Sequence, residues 1–304
     1  VGEAGATPPS HAIIADLYPK ARRAGAIAVY ALGSPAGMIV AYLIGAWITE
    51  HWGWRAALFA FGLPGLIFAV ILWRMLPDPP RGHSDGDAVT AVKLTEALKH
   101  LIGRPAFVHN AVASGVFAFL WFGLLSWTPS FFTRTHGMSI GEVGAWLALA
   151  LGVAQLIGSW LGGVFGDRLG PRNVRWYPWI CVIVMAASTP FYLIVFLWPE
   201  PRVAILVLSI PVCLSVMQGA PQHWITQAVA GPRMRATATA LYLMIVNVIS
   251  GFGAQTVGLL SDLFAPLYGV KSLGYALLAV CLVFSVWSTV HYWLSARTIE
   301  RDIA

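Results

Sequence analysis

Long apolar runs separated by short polar breaks follow one another along most of the chain. A helix that crosses a bilayer needs about 20 apolar residues, and such runs lie at about 23–49, 55–76, 106–131, 140–165, 174–198, 203–228, 234–263 and 272–296. Residues 1–17 are also apolar, and we interpret them as the end of a helix that begins before Val1. The pattern predicts an all-α polytopic membrane protein with about eight full transmembrane helices plus the end of a ninth.

The composition supports this class of protein. Only 11% of the 304 residues are charged and 58% are hydrophobic, whereas a soluble domain carries about 25% charged residues. The net charge of +6 raises nucleic acid as an alternative partner, but the basic residues are scattered through short loops between the apolar runs. We therefore expect the lipid bilayer as a partner, and no nucleic acid.

The distribution of basic residues predicts the orientation. Fifteen of the 19 Lys and Arg residues lie in loops on one side of the predicted membrane. The other side holds Arg55, Arg134, Arg202 and Lys271. Because loops rich in Lys and Arg stay in the cytoplasm, the first side is predicted to be cytoplasmic, and the C-terminus with it.

A polar segment from about 77 to 105 divides the apolar runs into two groups. Its second half has the pattern of a short amphipathic helix on the cytoplasmic surface. We predict that residues 1–76 are the remainder of an N-terminal bundle (the end of helix four, helices five and six). Residues 77–105 are predicted to be a cytoplasmic linker, and residues 106–304 a C-terminal six-helix bundle. Two equal halves would require three more helices before Val1.

An internal repeat relates the two predicted bundles. The segment Pro9–Ala24 matches Pro221–Ala236 with one inserted residue, so that His11 corresponds to His223. Repeats of this kind are typical of transporters built from two parallel halves. Each copy leads into a charged turn, predicted to be cytoplasmic, and the residues of these turns are Asp16, Arg22, Arg233 and Arg235.

Glu3 is the acidic residue that lies deepest within an apolar segment. Counted back from Leu17 at about 1.5 Å per residue, it lies roughly 20 Å from the membrane boundary. An ionisable group at that depth is costly and is a candidate proton or ion site. The alternative is a glutamate that a structural arginine neutralises.

Other polar side chains are candidates for the lining of a substrate cavity, namely His11, Gln218, Gln222, His223 and Asn247. Three of them, Gln218, Gln222 and His223, have i, i+4 and i+5 spacing, so that one helix face could present them together. The alternative for each is a hydrogen bond between helices.

The segment Gly162–Asn173 has the spacing G-x-x-x-D-R-x-G-x-R between two apolar runs. The matching positions are Gly163, Asp167, Arg168, Gly170 and Arg172. We expect the glycines to permit close helix packing and a sharp turn, and the charged residues to pair with a neighbouring helix end. The alternative is an ordinary basic loop. The spacing resembles the loop signature of major facilitator superfamily transporters, which assigns these five residues to gating.

Two further stretches narrow the resemblance. The segment Gly2–Arg22 resembles helix four of the Spinster-like branch, and Trp127–Glu142 resembles its bacterial members. The resemblance implies proton-linked transport by alternating access, with Glu3 in the coupling role. It also implies an amphipathic lipid cargo such as lysophospholipids or sphingoid compounds. We expect a monomeric protein of the bacterial inner membrane.

Other functions stay open at this point. A related branch of transporters carries organic anions such as sugar acids, and its members look similar in these segments. A non-transporting receptor or scaffold is the alternative from another class. An enzyme that uses His11, His223 or Glu3 is not expected, because the sequence has no nucleophile–base pair or metal-ligand spacing.

The cysteines add no chemistry. Cys181, Cys213 and Cys281 all lie inside apolar runs, without paired spacing. We therefore expect no disulfide, no metal and no cofactor. Near Trp127–Glu142, Ser139 and Glu142 predict a capping box at the start of a helix.

Overall fold

The computed structural model describes residues 33–75, 94–231 and 234–303, together with Ser10, Ile13, Ile14, Ala26, Val29 and Tyr30. These described residues are almost entirely helical and contain no β-strand. The chain divides into two compact units, residues 1–90 and residues 91–304. The predicted all-α polytopic fold class is confirmed.

In the first unit, one helix is interrupted by a π-helical stretch. Helix α1 (Gly33–Val40) continues through the π-helix Ala41–Gly45 into α2 (Ala46–Trp52). Gly53 has φ 82°, a conformation that glycine adopts without steric cost, and leads the chain into α3 (Trp54–Met75). These helices correspond to the predicted runs at 23–49 and 55–76, although a small part of the first run lies outside the described residues.

The second unit begins with a short amphipathic helix, α4 (Leu94–Ile102), which buries Ala97 and Leu101. Longer helices follow in the order α5 (Pro105–His136), α6 (Ile140–Leu169), α7 (Trp176–Leu197), α8 (Pro201–Val216), α9 (Gly219–Ala230), α10 (Arg235–Ser250), α11 (Gly253–Tyr268) and α12 (Ser272–Ile303). A 3-10 turn, Gly269–Lys271, joins α11 to α12. Helix α12 packs along α5 and α7, and α8 packs against α6 and α7.

Six stretches of the described residues are long and apolar enough to cross a membrane, namely Trp54–Met75, Pro105–His136, Ile140–Leu169, Trp176–Leu197, Pro201–Ala230 and Thr237–Ile303. The last is 67 residues long, although one crossing needs only about 20. Because the 3-10 turn falls within it, it holds two crossings. The predicted runs 203–228 and 234–263 are each broken into two helices, between α8 and α9 and between α10 and α11.

Glycines bring pairs of helices into backbone contact in the second unit. A Cβ atom on Gly158 of α6 would overlap the carbonyl oxygen of Cys213 in α8. Gly253 of α11 stands in the same relation to the carbonyl oxygen of Phe119 in α5. Small residues at such crossings let membrane helices approach closely and gain van der Waals contact. These two approaches fix the positions of α6 against α8 and of α5 against α11.

A buried acidic side chain caps the N-terminus of α5. The Oδ2 atom of Asp302, near the end of α12, accepts a hydrogen bond from the backbone N–H of Ala106 at 2.7 Å. The first N–H groups of a helix lack partners within the helix, and a carboxylate is a strong acceptor for them. Asp302 thus ties the end of α12 to the beginning of α5.

Candidate functional site

The loop signature forms the end of α6 and the turn that leads into α7. Asp167, Arg168 and Arg172 are all exposed there. Gly170 has an ordinary right-handed conformation, with φ −55° and ψ −46°, so the prediction of a sharp turn that requires glycine is wrong at this position. A Cβ atom on Gly170 would instead overlap the ring of Tyr177. The absence of a side chain makes room for this aromatic ring.

Gly163 differs from its neighbour in the same helix. A Cβ atom built on Gly162 would overlap the carbonyl oxygen of Met217, whereas no described residue lies within 4 Å of one built on Gly163. The close packing predicted for the signature glycine is therefore made by Gly162, one residue earlier. Gly163 leaves open surface on α6, and its gating role stays a prediction.

The signature charges are not paired within the described part of the chain. Asp167, Arg168 and Arg172 make no ion pair with any residue of the ranges 33–75, 94–231 and 234–303. The ion pair at this end joins Arg175, just before α7, to Glu300 of α12 at 2.7 Å. The predicted pairing with a neighbouring helix end is thus made by Arg175, which the signature does not include.

The three polar side chains of the 218–223 segment do not share one face. Gln218 is only 1% exposed, and its Nε2 donates to the sulfur of Met185 in α7 at 3.5 Å. Gln222 points into the bundle between α5 and α12. His223 is exposed on α9, and its ring makes an edge contact with Tyr242. The expectation of a single presenting face is wrong because the three side chains point to three different neighbours.

Gln222 is the centre of a hydrogen-bond network among three helices. Its Oε1 accepts from Ser114 Oγ of α5 at 3.0 Å and from Tyr292 Oη of α12 at 3.1 Å. Its backbone carbonyl accepts from Asn110 Nδ2 at 3.0 Å, and Asn110 Nδ2 also donates to Thr226 Oγ1 at 3.0 Å. Sequence analysis selected Gln222 but missed Ser114 and Tyr292, since residues far apart in sequence leave no local spacing signal.

The remaining candidate residues divide into two groups. Asn247 is exposed on α10 and donates from Nδ2 to the carbonyl oxygen of Leu243 in the same helix at 2.8 Å. Arg235 is exposed at the first position of α10. The others lie outside the described residues, namely Glu3, His11, Asp16, Arg22 and Arg233. Their roles in coupling, cavity and turn therefore stay predictions.

A groove runs between α6 and α8. It has a volume of about 430 Å³, and its walls include Leu149, Val153, Ile157, Leu206 and Ile210. Ser209 and Cys213 also line it, and the Ser209 hydroxyl donates to the carbonyl oxygen of Leu206 in its own helix at 2.6 Å. Such a surface suits an alkyl chain rather than a polar solute.

Side chains that could ligate a metal ion occur in the described part of the chain. Among the described residues, no group of three or more His, Cys, Asp or Glu side chains is arranged to hold a metal ion. The three cysteines are unpaired thiols, and Cys181 and Cys281 are fully buried.

Apolar helices of membrane length, packed through glycines around buried hydrogen bonds, define an integral membrane protein. The sequence profile of the Major Facilitator Superfamily matches residues 1–254. The chain therefore belongs to the Major Facilitator Superfamily, and it is a membrane transporter.

Individual relatives agree with the predicted branch. The chain is 29% identical over 303 residues to an MFS-type efflux pump of Mycolicibacterium smegmatis, covering 100% of this chain and 70% of that protein. It is 26% identical over 327 residues to Protein spinster homolog 3 of Danio rerio, covering 99% of this chain and 65% of that protein. The chain thus spans about two thirds of the length of these relatives.

A solved structure agrees as well. The crystal structure of a bacterial homolog to the human lysosomal transporter Spinster, inward-facing and unoccupied, superposes with a TM-score of 0.84. The identity is 26%, and the match covers 99% of this chain and 76% of that one. A second crystal structure of a bacterial Spinster homolog, inward-facing and occupied, superposes with a TM-score of 0.82 at 25% identity. The predicted resemblance to the Spinster-like branch is confirmed.

Proposed function

We propose that the protein is a proton-coupled secondary transporter that moves an amphipathic solute by alternating access. The observation that carries the proposal is the similarity, over 99% of the chain, to a bacterial Spinster homolog solved inward-facing in unoccupied and occupied conformations. A transporter that binds cargo while open to one side must open to the other side to release it. The internal repeat of Pro9–Ala24 and Pro221–Ala236 fits the same mechanism.

The cargo class that we propose is a lysophospholipid or sphingoid-type lipid. Two features support an amphipathic cargo: the apolar groove between α6 and α8, and neutral rather than cationic polar side chains at Gln222 and Asn247. Within the described ranges, no Lys or Arg lies at the middle of a membrane-length helix. An organic anion or sugar acid is the alternative cargo, and it would favour a cationic cavity.

The proposed mechanism assigns a role to each group of candidate residues. Glu3 takes up and releases the coupling proton. His11, Gln222, His223 and Asn247 contribute to the cargo cavity, while Gln218 supports it from within the bundle. The loop signature and the charged turns act in gating. We further propose a monomer in the bacterial inner membrane with a cytoplasmic C-terminus, and a division into residues 1–76, 77–105 and 106–304.

The test is an uptake assay with the full-length protein in proteoliposomes. A fluorescent lysophospholipid is supplied outside, and its protected fraction is measured with and without an imposed pH gradient. Gradient-dependent uptake that excess unlabelled lysophospholipid suppresses, and a sugar acid does not, supports the proposal. A radiolabelled sugar acid is followed in the same vesicles, and its gradient-dependent uptake without lysophospholipid uptake favours the organic-anion alternative. No movement of either cargo in a folded protein contradicts the transport of both classes.

A further inference from the structure

His109 of α5 and His291 of α12 face each other in the seam between their helices. Their Nδ1 atoms are 3.0 Å apart, and the ring centroids are 5.1 Å apart with the planes inclined by 48°. The nitrogen–nitrogen distance is that of a hydrogen bond, so one ring donates its N–H and the other accepts with its lone pair. Both residues are half-buried. None of the transport roles assigned above uses this histidine pair.

Neighbouring bonds hold the seam at a fixed spacing. Ser288 Oγ of α12 donates to the carbonyl oxygen of Ala113 in α5 at 2.9 Å. Two turns further along, Ser295 Oγ donates to the carbonyl oxygen of Ala106 at 3.1 Å. The histidine pair lies between these two bonds on both helices. Its rings therefore cannot separate without loosening the packing of α5 against α12.

The charged groups around the pair are already engaged. Asp302 of α12 acts electrostatically on His109, but its two carboxylate oxygens accept from the Ala106 N–H at 2.7 Å and from Arg301 Nε at 3.3 Å. Glu300 of the same helix forms its own ion pair with Arg175. Tyr292, next in sequence to His291, is bonded to Ser114 and Gln222.

The helices packed against α5 and α12 present further titratable side chains, but within the described ranges none of them bonds to the pair. The Cys181 thiol of α7 donates to the carbonyl oxygen of Tyr177. His223 of α9 contacts Tyr242 of α10. Helices α4, α10 and α11 carry the charged residues Glu96, Lys99, Arg235 and Asp262. None of these four side chains bonds to the histidine pair.

A proton count limits what the pair can hold. In the neutral pair, one Nδ1 carries a proton and the other Nδ1 offers its lone pair. A first added proton can bind at the Nε2 of the donor ring, which keeps the contact and makes it charge-assisted. A second added proton has to bind at the accepting Nδ1, which sets two N–H groups and two positive charges against each other. Imidazole changes its charge between pH 5 and 8, so the unfolded chain takes up both protons within an accessible pH range.

We propose that His109 and His291 form a proton-binding site in which two imidazoles share one positive charge, and that a second proton opens the seam between α5 and α12. The site goes beyond the proposed coupling at Glu3, because it lies in the second unit and requires neither cargo nor a gradient. Its consequence for the fold has a definite sign. At low pH the unfolded chain binds two protons at these positions and the folded chain binds one, so stability falls as the pH is lowered.

The test compares thermal unfolding of the purified protein in detergent at pH 7.5 and pH 5.5. The wild type is compared with the double variant H109Q/H291Q, in which the side chains still form hydrogen bonds but do not titrate. Acidification is expected to lower the Tm of the wild type by about 2–4 °C more than that of the double variant, since about 1 kcal/mol shifts Tm by that amount in a unit of this size. The matched control H51Q, at an exposed histidine of α2 whose ring nitrogen bonds to the carbonyl oxygen of Trp47 in the same helix, is expected to keep the full wild-type shift.

An equal acid shift in the wild type and the double variant overturns the proposal. Where the double variant fails to fold, a nitrogen NMR titration of histidine-labelled wild-type protein replaces it, with the two resonances assigned from the single variants. Two imidazoles that titrate together, and take up one proton before a second at lower pH, support the site. Independent titration of both rings to the charged form in the folded protein overturns it. Neither readout depends on transport, so the result is separate from the test of Glu3.

Discussion

The carbonyl oxygen of Cys213 in α8 occupies the space that a Cβ atom on Gly158 of α6 would need. The two helices therefore meet backbone to backbone at this point. The same helix has a matched position without this restriction, since no described residue lies within 4 Å of a Cβ atom on Gly163.

The first prediction compares alanine at these two glycines. Gly158→Ala is expected to lower the free energy of unfolding by about 1–3 kcal/mol, because the added methyl group overpacks the crossing. Gly163→Ala is expected to leave stability unchanged or slightly raised, since alanine favours a helix interior over glycine. Thermal unfolding in detergent measures both. A Gly158→Ala protein as stable as the Gly163→Ala protein would mean that α6 and α8 are not in backbone contact.

The second prediction concerns the network around Gln222. Gln222→Leu removes the acceptor of the Ser114 and Tyr292 hydroxyl groups, and a buried hydrogen-bonding group that loses its partner costs about 1–3 kcal/mol. Tyr292→Phe is expected to be destabilising alone and less so in the Gln222→Leu background, because the bond that the two residues share is already lost there and only the bond to Ser114 remains. The measurement is a double-mutant cycle on the free energy of unfolding.

Asn247→Ala serves as the control for that cycle. Its amide bonds only to the carbonyl oxygen of Leu243 in its own helix among the contacts of the described residues, and it is exposed. Its removal is expected to change stability by less than about 0.5 kcal/mol. Strict additivity of Gln222→Leu and Tyr292→Phe would contradict the shared bond.

The third prediction separates two carboxylates at the end of α12. Asp302→Ala is expected to cost about 1.5–3 kcal/mol, the range of hydrogen bonds to charged groups, because Asp302 is 4% exposed and accepts from the first turn of α5. Glu300→Ala is expected to cost about 0–1 kcal/mol, since its ion pair with Arg175 is on the surface. Chemical unfolding of both variants provides the comparison, and a larger loss for Glu300→Ala would reverse this ranking of the two contacts.

Most of the fold was predictable because a bilayer crossing imposes a long apolar run on the sequence. The breaks between α8 and α9 and between α10 and α11 were not predictable, because the apolar composition continues through them. At the start of α6 the prediction was half right. Ser139 Oγ accepts from the Glu142 N–H at 3.2 Å, but the Glu142 carboxylate binds Arg202, 60 residues away, at 3.1 Å.

The candidate site was less predictable, because its contacts join residues of different helices. Spacing within one helix identified Gln218, Gln222 and His223, yet their directions depend on which helices pack on each side. Gln222 binds partners that are 108 and 70 residues distant, and the histidine pair joins positions 182 residues apart. Tertiary packing creates these contacts, and no local pattern encodes them.

The fourth prediction concerns the proposed coupling residue. Glu3→Gln keeps the size and hydrogen-bonding capacity of the side chain but cannot take up a proton. A pH gradient should therefore no longer drive cargo uptake, whereas exchange of labelled for unlabelled cargo at equal pH should persist, because the unprotonatable carrier still alternates while loaded.

The most direct measurement is this pair of assays on the full-length protein in proteoliposomes, wild type beside Glu3→Gln. The account predicts gradient-driven uptake in the wild type, its loss in the variant, and cargo exchange in both. Gradient-driven uptake that survives in Glu3→Gln at the wild-type rate would contradict the assignment of the coupling proton to Glu3.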